Sequence, residues 1–278
     1  MTNTSTDPRP ILVIGSTGKT GRRVAAGLDA LGVDVRHGAR SSTPPFDWSD
    51  PLTWAPALAG TRAAYIAYSP DLAAPGSTDA ITELTEIARA AGVQRLVLLS
   101  GRGEPEALAA ERVVAGSGLE WTVVRASWFM QNFSEGNFAD DVSAGVVALP
   151  VGAVLEPFVD VDDIAEVAVA ALTDDRHAGQ VYEVTGPRLL TFADAIAELG
   201  SALGRDLVFT SVPMADYAAT LARYGVPEDV VGLLRYLFIE VLDGRNASLA
   251  DGVERALGRA PRDFSDFAHG FALDAATR

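Results

Sequence analysis

The sequence predicts an α/β fold, a parallel sheet flanked by helices, followed by a smaller and mainly helical C-terminal lobe. Three observations carry this. From residue 10 to about 125, short apolar runs alternate with helical patterns, which is how βαβ units read. The first run, Ile11-Leu12-Val13-Ile14, is continuously apolar, as a strand buried on both faces must be. It ends on a glycine-spaced turn, Gly15-Ser16-Thr17-Gly18-Lys19-Thr20-Gly21, that opens a helical pattern.

Each element follows in order. The helix after the turn should bury Val24, Leu28 and Leu31 and stop at Gly32, where a left-handed backbone costs least. Residues 33–39 and 63–67 read as the second and third strands, with loop 41–45 and then Phe46-Asp47-Trp48 between them. Ser77 or Thr78 is placed to cap a helix whose Ile81, Leu84, Ala88 and Ala91 share one face. Residues 95–100 form the fourth strand, 104–116 a helix and 121–125 the fifth strand. Beyond about 126 the alternation lapses and aromatics gather at Trp128, Phe129, Phe133 and Phe138. A helix over 160–172, a strand over 181–184, a helix from Thr191 to Leu203 and a short strand over 207–212 complete the pattern. The expected division is a leader over 1–9, a dinucleotide domain over 10–155 and a lobe over 156–278, with the strand near 181–184 returning to the sheet.

Bulk composition excludes several functions. The 278 residues contain no cysteine and only three histidines, so disulfides, a cysteine nucleophile and a zinc site are not expected. A formal charge of −15 without a basic run argues against nucleic-acid binding. No segment approaches ~18 uninterrupted apolar residues, and the N-terminus lacks a signal core. A cytoplasmic protein with a small-molecule substrate is expected; a homodimer is allowed for, and no membrane or metal is called for.

The glycine turn defines a Rossmann-like site. In Gly15-x-x-Gly18-x-x-Gly21, the first glycine makes the tight turn, the second lets the backbone approach a pyrophosphate, and the third lets helix and strand pack closely. Helix N–H groups then face the phosphates, so Ser16, Thr17, Lys19 and Thr20 join the glycines as cofactor residues. A nucleoside-triphosphate P-loop would need a glycine at position 13, which is Val13. The second strand ends in Ala39-Arg40-Ser41-Ser42 rather than in an acid. Arg40 offers a planar fork to a 2′-phosphate, so NADP(H) is the expected cofactor, against a plain solvated role for the arginine. Asp47 and Trp48 flank the expected adenine or simply form a turn. Ser69 and Gly101, near the ends of the third and fourth strands, are assigned to the same cofactor.

The usual proton-transfer pair, Tyr-x-x-x-Lys, cannot be built here. The 22 basic residues are 21 arginines and one lysine, Lys19, and no tyrosine precedes it. Tyr68 and Ser100 are left as candidate catalytic groups, and Tyr65 as a substrate contact. Each has a competing reading as strand-end packing or a turn residue.

These residues resemble the atypical short-chain dehydrogenases called NmrA-like. Further matches are 98–104 (Leu-Leu-Ser-Gly-Arg-Gly-Glu), 117–133 (Ser-Gly-Leu-Glu-Trp-Thr-Val-Val-Arg-Ala-Ser-Trp-Phe-Met-Gln-Asn-Phe) and 157–164 (Pro-Phe-Val-Asp-Val-Asp-Asp-Ile). Gly18-Lys19-Thr20 and the 100–104 segment are most similar to the festuclavine dehydrogenase branch and its bacterial relatives. The resemblance implies a nicotinamide near Ser100 and Ala126, and a substrate cleft lined by Trp128, Phe129, Asn132 and Phe158, unless these aromatics are core. It also implies one of two functions: an NADPH-dependent reductase of iminium, quinone or enone electrophiles, or a non-catalytic NAD(P)-sensing regulator. The absent acid favours the first, since an iminium carbon takes hydride without a proton donor.

Overall fold

The structure is a computed structural model and describes residues 7–136 and 138–276. In chain order its elements are β1 (Ile11–Ile14), α1 (Lys19–Ala30), β2 (Val35–Gly38), α2 (Trp54–Leu58), β3 (Ala63–Ile66), α3 (Ser77–Ala90), β4 (Arg95–Gly101), α4 (Pro105–Ala115) and β5 (Glu120–Ala126). There follow α5 (Ala139–Ala144), β6 (Val146–Leu149), α6 (Val161–Thr173), β7 (Gln180–Val184), α7 (Phe192–Leu203), β8 (Val208–Ser211), α8 (Met214–Arg223), α9 (Glu228–Tyr236), α10 (Gly252–Leu257) and α11 (Phe264–Ala276). Among the described residues, no helix is long and apolar enough to cross a membrane.

Six strands form one sheet in the order β2-β1-β3-β4-β5-β7, and every neighbouring pair is parallel. Helices cover a parallel sheet on both faces, which is why β1 and β3 are apolar and buried along their whole length. The order changes direction between β1 and β3, so a crevice opens beyond the carboxyl ends of those strands. Leu12, Ile14, Ile66 and Leu98 meet Trp54, Ile81 and Leu84 in the core beneath it.

The chain divides into two compact units, and the division differs from a split at 155. The first unit runs through Ala126, then takes back Val161–Val184 and Asp251–Arg259. Pairing explains the first return: β7 lies beside β5 with Val123 opposite Val181. On the same segment α6 packs on α1, where Val169 stands against Gly27 so closely that a Cβ there would lie 2.9 Å away. The second return, α10, has no signal in the sequence pattern. It is held by Arg255 over the Tyr182 ring at 5.1 Å and by Arg259 paired with Asp163 at 2.7 Å.

The second unit holds Ser127–Asp160, Thr185–Ala250 and the chain from Ala260. Its core gathers the rings of Phe133, Phe138, Phe158, Phe192 and Phe264 among aliphatic side chains. A two-stranded parallel sheet, β6 with β8, belongs to it. The short apolar run of β6 carries no period that distinguishes strand from helix. The helix from Thr191 starts with a full capping box, Thr191 accepting from the Asp194 N–H and Asp194 from the Thr191 N–H.

Three local readings change. Leu31 is 62% exposed, because α1 ends one residue earlier and Leu31 closes the turn. Gly76, at φ 83°, precedes α3 in place of a serine or threonine cap, and the Ser77 hydroxyl donates to the Leu72 carbonyl instead. Of the expected leader, residues 1–6 lie outside the described residues, while Arg9 pairs with Asp7 at 2.6 Å.

The return of α10 makes a direct prediction. A Cβ at Gly252 would stand 2.0 Å from the Glu183 carbonyl oxygen, so Gly252→Ala must push α10 off β7. Overpacking of this kind costs ~1–3 kcal/mol, and urea denaturation should show that loss. An unchanged midpoint would mean that α10 does not pack on β7.

Candidate functional site

The site in the first unit is built from loops at the carboxyl ends of adjacent strands. The glycine turn is the tightest of them. Gly15 adopts φ +76°, and a Cβ there would lie 3.3 Å from the Ala67 Cβ at the end of β3. Its N–H donates to the Gly38 carbonyl at 2.9 Å, which fixes the turn to β2. Gly21 has no room at all, since a Cβ would stand 2.1 Å from the Gly15 carbonyl oxygen. Gly18 differs: a Cβ there would meet only that oxygen, at 3.3 Å. Gly18 is also the N-cap of α1 and brings no side-chain acceptor to its first turn. A helix N-terminus left uncapped beside a backbone without side chains is the arrangement a pyrophosphate requires. These residues fit a dinucleotide.

Beside this turn runs an open groove of about 690 Å³, lined among others by Ser16, Thr17, Ala39, Ser41 and Ser42. The loop after β2 is closed on itself: Ser42 Oγ accepts from the Ala39 N–H at 3.0 Å, and the Phe46 N–H donates to the Ala39 carbonyl at 2.9 Å. Arg40 is exposed on this loop. Asp47 is bound by the backbone N–H and hydroxyl of Ser49. Those bonds, with Arg40 nearby, hold its carboxyl below the usual range. Trp48 donates from Nε1 to the Ala67 carbonyl at 3.1 Å and packs on Tyr68 at 4.7 Å between centroids. The Trp48 ring therefore ties the β2 loop to the end of β3.

The candidate catalytic and substrate residues are placed less simply. Tyr65 is wholly buried, which raises its phenol's pKa, and Thr20 is its polar neighbour. A side chain with no exposed surface packs the sheet rather than meeting a substrate. Tyr68 is half-buried, and burial raises its pKa as well, making it a weaker acid than a free tyrosine. Ser100 is 4% exposed and donates its hydroxyl proton to Glu111 Oε1 at 2.6 Å. Glu111 in turn accepts from Arg125 Nε at 2.8 Å, and Arg125 also pairs with Glu183 at 2.7 Å. The Ser100 proton is thus committed inward.

In the second unit, Phe158 is 2% exposed and closed in by the rings of Phe133, Phe192 and Phe264. It is core, because three aromatic faces occupy the space a ligand would need. Trp128 is half-buried against Phe138, Phe192 and Phe238. Phe129 and Asn132 are half-buried, with Phe129 bridged to Val159.

Sequence reasoning missed a pair of carboxyls. Asp71, half-buried in the loop after β3, and Glu104, buried at the N-cap of α4, stand beside each other. Burial, then the charge of Asp71, pushes the Glu104 pKa far above the carboxylate range. Asp71 is raised too, chiefly by burial, although the Ala73 N–H donates to it at 2.8 Å. The two lie 33 positions apart in the sequence, each reading as an ordinary turn or helix-start acid.

Residues 15–175 match the NAD(P)H-binding family, and the chain belongs to that family. It is 33% identical over 287 residues to a (4-alkanoyl-5-oxo-2,5-dihydrofuran-3-yl)methyl phosphate reductase of Streptomyces griseus, covering 92% of this chain and 96% of that protein. It is 30% identical over 283 residues to a festuclavine dehydrogenase of Aspergillus fumigatus, covering 93% and 96%. The crystal structure of NmrA, a negative transcriptional regulator, in complex with NAD superposes with a TM-score of 0.71 at 16% identity, covering 98% of each chain.

Two glycine substitutions separate cofactor binding from folding. Gly18→Val fills the space over the turn and asks the Gly15 carbonyl to give by a few tenths of an ångström, far less than Gly21→Ala would, so fluorescence titration should show NADPH binding abolished in a folded protein. Gly21→Ala collides with backbone and should lower the melting temperature as well. If Gly18→Val still binds NADPH tightly, the turn is not the phosphate site.

Proposed function

We propose that the chain is an NADPH-dependent reductase that passes hydride to a small activated electrophile, an iminium, quinone or enone, without a Tyr/Lys pair. The observation that carries this reading is a dinucleotide cradle bordered by Ala39, Ser41 and Ser42, with Arg40 exposed on the same loop, in a chain whose only lysine lies inside the cradle. The bound dinucleotide supplies the hydride. Residues 15–21 hold its pyrophosphate, and Arg40 with the two serines holds the 2′-phosphate. Asp47 and Trp48 border the adenine, while Ser69 and Gly101 border the nicotinamide. Trp128, Phe129 and Asn132 are kept as proposed substrate contacts. Two relatives support the substrate class: one is named for an alkaloid, festuclavine, and the other for an oxo-dihydrofuran bearing an alkanoyl group, a ring alkene conjugated to carbonyls.

An iminium carbon is already electrophilic, so the protein's work there is alignment and exclusion of water. NADPH should be oxidised by some member of a panel of cyclic iminium ions, quinones and enones. Cofactor binding with no oxidation across the panel would move the reading to a cofactor-sensing protein. Arg40→Ala tests the cofactor choice. A charge-assisted contact contributes on the order of 1.5–3 kcal/mol, roughly ten- to a hundredfold in affinity. Calorimetry should show that loss for NADPH and almost none for NADH. An equal loss for both would overturn the assignment.

A further inference from the structure

The β1 and β3 loops border the crevice where the sheet order turns, and the β4 loop stands next to them. Glu104 projects from the β4 loop and is only 7% exposed. Its carboxyl lies directly over Gly101, so near that a Cβ on Gly101 would stand 2.2 Å from Glu104 Oε1. Among the described residues, no N–H or O–H is seen to donate to this carboxyl; its polar neighbour is Asp71, itself a carboxyl. A buried carboxyl beside a half-buried one is not ionised together with it, so the two share a proton. Asp71 already accepts from the Ala73 N–H, which leaves the proton on Glu104.

We propose that Glu104, sharing a proton with Asp71, is the proton donor of this reductase, and that it opens the site to acceptors that need a proton as well as a hydride, quinones and enones. The proposal rests on the reductase reading above. As hydride reaches the acceptor, negative charge grows on the quinone's second oxygen or on the enolate of the enone. The Glu104 O–H bond breaks and its proton goes to that oxygen, or to the enolate's α-carbon. The pair, briefly a dianion, takes one proton from water, so each dinucleotide oxidised consumes one proton. An iminium acceptor becomes a neutral amine on hydride arrival and leaves the pair untouched. Charges that face Glu104 set its strength: Asp71 from the β3 loop, and Glu106 and Glu111 from α4. All three keep it protonated. Glu111 acts least because Arg125 neutralises it.

Glu104→Gln preserves shape and a hydrogen bond to Asp71 but has no proton to give. Quinone and enone turnover should fall by about a hundredfold, the lower end of what a general acid contributes. Iminium turnover should stay within about twofold, and NADPH affinity should not change. The alkaline limb of the quinone pH profile should vanish in the variant. Two readouts need no turnover. Infrared spectra of the cofactor-free protein should show a protonated-carboxyl band at pH 7 that Glu104→Gln removes. A carboxyl with a raised pKa stabilises the fold below its unfolded value and loses that contribution as pH rises through its folded one. The melting temperature of Glu104→Gln relative to the parent should therefore climb between pH 4.5 and about 9. Equal loss for iminium and quinone, or no loss, would overturn the donor role. So would absence of the infrared band. A band without turnover of any acceptor overturns it through the reductase reading instead.

Discussion

The first unit is organised around a contact that leaves no space for a side chain. The start of α1 rests on the backbone of the turn it has just left, with Gly21 against the Gly15 carbonyl. Gly38 is under the same restraint, for a Cβ there would lie 3.0 Å from the Ile14 Cα and the Val13 carbonyl. Through these approaches α1, β1 and β2 meet as bare backbone. The N-terminus of α1 is thereby aimed past the turn, and the loop after β2 starts at a fixed point. Trp48 then carries the restraint across to Ala67, so three loops are positioned by one tight turn. Hydrophobic burial stabilises the sheet, but this steric limit decides where its loops stand.

Charge is treated in two ways at the end of β4. Glu111 receives Ser100 and Arg125, and Arg125 reaches on to Glu183 in β7, where Arg102 also arrives at 3.4 Å. The carboxyl ends of β4, β5 and β7 are stapled by this network, and removing one member would strand a buried charge. Glu104, about two turns earlier at the N-cap of the same helix, receives none of these cations. With two arginines already committed so near, leaving it without one has a chemical consequence: burial and the neighbouring Asp71 hold it neutral well above the usual carboxylate range.

Much of this was legible in the sequence, and the rest failed for identifiable reasons. Strands β1, β3, β4 and β5 announce themselves because parallel strands buried on both faces must be continuously apolar. The glycine turn is legible because its spacing follows from sterics alone. Ser100 and Tyr65 read from the sequence as standing at or near strand ends, but the direction of a side chain there is set by what comes from elsewhere, Glu111 in one case and Thr20 in the other. Phe158 shows the same limit, since an aromatic in a loop reads alike whether it faces a ligand or three other rings. The return of residues 251–259 was invisible because α10 is six residues long and its contacts are a backbone approach at Gly252 and two arginines.

The acid pair changes the argument from chemistry to substrate. Without it, a site lacking the Tyr/Lys pair suits best those acceptors that finish as neutral molecules once hydride has arrived, which points to iminium ions. A carboxyl kept neutral by its surroundings removes that restriction, because the developing enolate or hydroquinone anion then meets a donor whose pKa has been raised toward its own. Holding the proton needs no added cation or lysine. It follows from burial and from a second carboxyl, and both are consequences of how the loops after β3 and β4 fold. A member of the NAD(P)H-binding family without a Tyr/Lys pair can in this way draw an acid from its backbone layout, with Gly101 left bare to make room for the carboxyl.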